Sequence, residues 1–92
     1  MTAYIPEIHE TEFELFQILA PDNDPFPQCF SEWQSLRARD AAVARSLGNQ
    51  AKSVPILFAE FKTSMAHNGM PRPGLADLNV YVRERESRFH FV

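Results

Sequence analysis

Cysteine is almost missing from this chain. Cys29 stands alone among 92 residues, so no internal disulfide can form. Without that staple the fold must rest on an apolar core, and a reducing, cytoplasmic setting is expected. Glycine is nearly as scarce. Gly48, Gly69 and Gly74 stand apart, which excludes a glycine-rich phosphate cradle and makes each read as a cap or turn. Long apolar runs are lacking too. The longest stretch free of Asp, Glu, Lys and Arg, Thr63 to Pro71, is polar and about half the ~20 residues a membrane span needs. Nor is a secretory signal expected, because no basic segment precedes an apolar one and acids begin at Glu7.

Sites for chemistry are also sparse. His9, His67 and His90 lie far apart, with neither HxxxH nor HExxH spacing, so a zinc site would have to be assembled entirely by the fold. Cys29 follows an acidic loop, which should raise its pKa, and it reads as a small buried residue rather than a nucleophile. Glu10, Glu12 and Glu14 have the spacing of a solvated first helical turn. No catalytic residue, cofactor or metal is expected.

What is present is an ordinary globular composition, 45% hydrophobic and 23% charged. At this length one small domain spanning 1–92 is expected, with a modest core. The net charge of −3 is unevenly spread. Residues 1–30 carry Glu7, Glu10, Glu12, Glu14, Asp22 and Asp24 and no Lys or Arg, while all nine basic residues follow. Either the acidic front folds against the basic remainder and is partly neutralised, or the molecule has two faces of opposite sign.

Punctuation divides the chain into four candidate elements. Thr11 to Ala20 reads as a helix, with Thr11 and Glu14 as a capping box and Phe13, Phe16, Leu19 and Ala20 on one face. The segment Pro21 to Pro27, PDNDPFP, is a loop that Phe26 would pin to the core. Glu32 to Leu47 reads as a helix, with a box from Ser31 and Gln34, a stripe of Trp33, Leu36, Val43, Ala44 and Leu47, and Gly48 as its stop. The third element reads as a helix after Ser53, on Val54, Leu57, Phe58, Phe61 and Met65, closed by Asn68-Gly69. A competing reading makes Val54 to Phe58 a strand ahead of a helix from Ala59. The fourth, from Leu75, is read as a helix through Leu78, Tyr81 and Val82. Its alternative is a β-hairpin turning at Glu84 to Ser87, but that turn lacks Gly or Asn. The fold class is therefore mainly α, a small single domain of three to four helices, with α+β and a C-terminal β-hairpin as the alternative.

Two surfaces could carry a function. Eight phenylalanines, two tyrosines and one tryptophan are generous for so small a core. Some of Phe13, Phe16, Phe26, Phe30, Trp33, Phe58, Phe61, Phe89 and Phe91 are expected at the surface, where exposed apolar area marks an interface. The C-terminal part also gathers Arg72, Arg83, Arg85 and Arg88 around Tyr81, Phe89, His90 and Phe91. Arginine interleaved with aromatics suits phosphates and stacked bases, and the helices around Asn68-Gly69 have the outline of a helix-turn-helix. Against this, Glu84 and Glu86 cancel much of the field and the chain as a whole is acidic. The expectation is a non-catalytic protein-interaction module whose partner is another protein or a second copy of itself. The alternative is a nucleic-acid-binding protein using Arg72, Tyr81, Arg83, Arg85, Arg88, Phe89 and Phe91. No membrane partner is expected.

Overall fold

The computed structural model describes residues 1–89, with side chains through residue 86. The elements in chain order are β1 (Thr2–Glu7), α1 (Phe13–Leu19), α2 (Phe30–Ser46), β2 (Gln50–Pro55), α3 (Phe58–His67) and α4 (Leu75–Phe89). A single 3₁₀ turn, Glu10–Glu12, leads into α1. The fold is mainly α, with one two-stranded parallel sheet. None of its described helices is long and apolar enough to cross a membrane.

β1 pairs with β2 in parallel, from Thr2 opposite Gln50 to Glu7 opposite Pro55. Parallel strands cannot be joined by a tight turn, so the intervening α1 and α2 form the crossover. The backbone bonds at the two ends of the ladder, Gln50 N–H to the Met1 carbonyl and Ile56 N–H to the Glu7 carbonyl, are each 2.9 Å. They fix which main-chain groups look inward. In a parallel pair alternate residues address the partner, so Met1, Ala3, Ile5 and Glu7 face β2, and Gln50, Lys52, Val54 and Ile56 face β1. Pro6 and Pro55 fall on the outward-looking positions of their strands, where a missing N–H breaks no ladder bond.

The core lies beneath the sheet. Ile8, Phe13, Phe16, Trp33, Val54, Ile56, Phe61, Met65, Leu78 and Val82 form one buried cluster. Leu78 and Val82, one turn apart on α4, are wholly buried, and such burial stabilises by about 1.5–3 kcal/mol per side chain. Rings fill the rest. Phe26 stacks on Trp33 at 5.9 Å between centroids, and Phe16 meets Phe58 edge-on at 5.1 Å.

α4 owes its start to the proline-rich loop. Asp24 accepts a hydrogen bond from Leu75 N–H at 3.0 Å, and Asp77 accepts one from Gly74 N–H at 2.8 Å. Gly74 carries no side chain of its own to cap the helix, and Asp24 supplies the carboxylate from another segment. A Cβ at Gly74 would collide with that carboxylate.

Several expectations are corrected. The helix read from Leu75 is present as α4, and its hairpin alternative is not taken, because the start is doubly capped and Leu78 and Val82 need helical spacing to reach the core together. The third element is a strand followed by a helix, which is the competing reading in kind, although β2 begins at Gln50 and ends at Pro55. β1 is an element the sequence reading did not assign. The boxes at Thr11 and Ser31 do not form. Thr11 N–H donates to His9 Nδ1 at 3.2 Å, so His9 caps the 3₁₀ turn. α2 starts one residue after Cys29, where Glu32 accepts from Gln28 N–H at 3.1 Å. The stops stand as read: Gly48 and Gly69 take φ of 84° and 77°, in the left-handed region.

Candidate functional site

Of the C-terminal basic-aromatic set, the described members Arg72, Tyr81, Arg83 and Arg85 have different partners. Arg72 precedes α4 and donates to the Ala20 carbonyl at 2.9 Å, with Asp22 at 3.4 Å. Tyr81 is half-buried, its ring edge-on to Phe61 at 5.3 Å. Arg85, one turn further on the same face, reaches Glu60 of α3 at 3.7 Å. Arg83 points to another side of α4, where it lines a groove with Asp40, Asn79 and β1. Arg88 and Phe89 belong to the last turn of α4, but their side chains, like His90 and Phe91 entirely, lie outside the described residues.

The acidic front folds against later cations. Glu7 pairs with Arg37 at 3.6 Å and Asp22 with Arg72 at 3.4 Å. Glu12 accepts from Phe58 N–H at 3.2 Å, and Asp24 caps α4. Four of its acids are thus tied to structure rather than spread over a face of one sign.

Cys29 departs from its reading as a buried residue, since it is exposed. Its thiol pKa is lowered, first by the Ser31 hydroxyl 3.2 Å away and then by the backbone N–H of Glu32 at the start of α2. The acidic loop does not dominate, because these donors lie closer to sulfur. Among the described residues no group of three or more His, Cys, Asp or Glu is placed to hold a metal.

Among the described residues the exposed large apolar side chains are aliphatic, and Phe89 and Phe91, also expected at the surface, lie outside the described side chains. Phe13, Phe16, Trp33 and Phe61 are buried, and Phe26, Phe30 and Phe58 are half-buried. Exposed instead are Leu15 (44%), Ile18 (73%), Val43 (52%), Leu47 (73%) and Leu57 (56%). Val43 on α2 and Leu47, which caps the end of that helix, are one turn apart. Val43 sits about 100° round the helix from buried Ala44, so the stripe assigned from sequence was too wide to be covered. The signal was in that width: α2 has more apolar positions than one contact face can hold.

Comparison with known proteins gave no match. No family model fits the chain, and no curated protein or solved structure is significantly similar to it. The site must be judged on its own geometry. Met1, fully exposed, bonds through its carbonyl to Gln50, just beyond the end of α2, so the chain start and Leu47 lie at the same end of the sheet. Met1 and Leu47 are exposed at this end of the sheet, with Val43 one turn before Leu47. These apolar side chains are suited to burying area against another macromolecule.

Proposed function

We propose that this chain is a non-catalytic protein-interaction module, with a homodimer as one form of the complex. The observation behind this reading is the pair Val43 and Leu47, exposed side by side on α2 while the aromatic core beneath is already filled. Aliphatic side chains adjacent at the surface gain about 25 cal/mol per Å² when a partner covers them. A cytoplasmic setting fits the exposed free thiol of Cys29. The nucleic-acid alternative draws less support, because Arg72 and Arg85 are engaged by Asp22 and Glu60.

The test combines light scattering with affinity capture, washed at low and at high salt. Self-association or a captured protein should survive high salt and be lost in the double variant Val43→Ser, Leu47→Ser. A monomer that retains only nucleic acid, and only at low salt, would overturn the reading in favour of the alternative.

A further inference from the structure

We propose that the outer edge of β2 is a docking site for an extended acidic peptide segment of a partner protein. The inference rests on the interaction-module reading and names the partner's chemistry at a second surface.

The edge is open. Among the described residues the sheet has two strands, and β2 meets β1 on one side alone. The inward-looking residues are Gln50, Lys52, Val54 and Ile56, so the amide and carbonyl of Ala51 and of Ser53 look outward, followed by the carbonyl of Pro55. Ser53 is exposed and Ala51 half-buried, and no backbone group among the described residues pairs with them. Such alternating donors and acceptors at strand spacing match a peptide backbone and no other common ligand. Pro55 offers no N–H, so an added strand would end there.

Beside this edge lies a recess of about 210 Å³, between the sheet and α2. Ala38 and Ala41 of α2 and Ala51 and Ser53 of β2 keep it shallow but open, with room for one side chain of an added strand. Arg37 and Arg45 are its charged lining residues, and no acid lines it. Arg37 is incompletely satisfied. Its Nη1 has Glu7 at 3.6 Å, yet its Nε is buried with no hydrogen-bond partner among the described residues. A carboxylate entering the recess would meet the guanidinium groups of Arg37 and Arg45. Lys52, exposed on the same strand, adds to the positive field.

The same charges argue against a second copy on this edge. Pairing β2 with β2 across a twofold axis would bring Arg37, Arg45 and Lys52 towards their own counterparts, and like charges across strands destabilise. An acidic extended segment meets both requirements, the backbone ladder and the cationic recess.

The probe is a fluorescein-labelled decapeptide of alternating Val and Glu, with an alternating Val and Lys peptide as control. Anisotropy gives affinity, and amide NMR shifts give location. The Val-Glu peptide should bind the intact protein and shift the amides of Ala51 and Ser53, and the Val-Lys control should bind at least about tenfold more weakly. Ser53→Pro removes one outward N–H without touching the β1 ladder and should weaken binding by about tenfold. Arg45→Glu, at an exposed helix position that leaves folding intact, should weaken it further and flatten its salt dependence. Equal binding of both peptides would overturn the proposal. So would shifts confined to other surfaces, unchanged affinity in both variants, or self-association through β2. If the peptide fails while capture that depends on Val43 and Leu47 persists, only this inference falls. If that capture also fails, the interaction-module reading falls with it.

Discussion

α2 separates two unlike halves of the molecule. Near its N-terminus Trp33 is buried to 1% exposure and stacks on Phe26, which meets Phe13, within a buried cluster that also holds Phe16 and Phe61. Near its C-terminus the same helix meets the sheet through Ala41, Ala44 and Ala51, and Val43 and Leu47 are left in solvent. One half is closed by large side chains. The other is thin, because small residues let backbones approach but bury little area. Stability and availability are thereby divided. The ring network holds the fold, and the alanine half is where backbone, cations and aliphatic side chains remain uncommitted.

The largest effect should come from the closed half. Trp33→Ala removes the stacking partner of Phe26 and opens a void that the surrounding rings cannot fill. A loss of about 3–5 kcal/mol is expected, read from urea unfolding. Ala44→Gly, at a buried position eleven residues along the same helix, should cost only about 1 kcal/mol. Equal losses at the two sites would erase the distinction between the halves. Trp33 also carries a buried indole N–H with no acceptor among the described residues, so Trp33→Phe should lose much less than Trp33→Ala.

A smaller effect tests how the closed half is tied to α4. Asp24 belongs to the same loop as Phe26, and its carboxylate sits where a Gly74 Cβ would go. Gly74→Ala must displace that carboxylate and lose the cap, at a cost of about 0.5–2 kcal/mol. Asp24→Ala should cost a similar amount. In the Asp24→Ala background, Gly74→Ala meets no obstacle, and the reduced freedom of the unfolded chain should make it neutral or stabilising by up to about 1 kcal/mol. The sign of the glycine substitution therefore reverses with its partner. Additive losses in the double variant would show that Asp24 does not cap α4.

The sequence made some of this legible and hid the rest for identifiable reasons. Gly48 and Gly69 could be read as stops because left-handed backbone has a residue preference of its own. Leu78 and Val82 could be placed in the core because burial imposes helical spacing. β1 and β2 could not be read so easily. Each is short, each contains a proline that argues against a strand, and proline is tolerated only because it falls on an outward-looking position, which depends on the register between two distant segments. The cap that Asp24 gives α4 spans 51 residues, so no local pattern announces it. The recess by β2 escaped for the same reason: Arg37 and Arg45 of α2 line it together with Ala51 and Ser53 of a strand that is adjacent only in the fold.

The smallest effect lies at the junction of the two halves, where Cys29 begins α2. The Ser31 hydroxyl and the Glu32 backbone amide favour the thiolate and lower the thiol pKa. An acidic group with a depressed folded-state pKa contributes stability above its unfolded pKa, and that contribution fades as pH falls through the folded value. The contribution is therefore complete above the ordinary thiol pKa and is lost as pH falls through the lower folded-state value. Because the thiol is exposed, stability should change little across that range. Reactivity is the better readout, since alkylation follows the thiolate fraction. Ser31→Ala removes the leading cause of the shift, so iodoacetamide should react more slowly at pH values below the thiol pKa and converge with the parent rate at high pH. A rate unchanged by Ser31→Ala across the titration would mean that the amide at the helix start, rather than the hydroxyl, governs this sulfur. The junction would then be set by the aromatic-anchored helix alone, which would sharpen the division between the two halves.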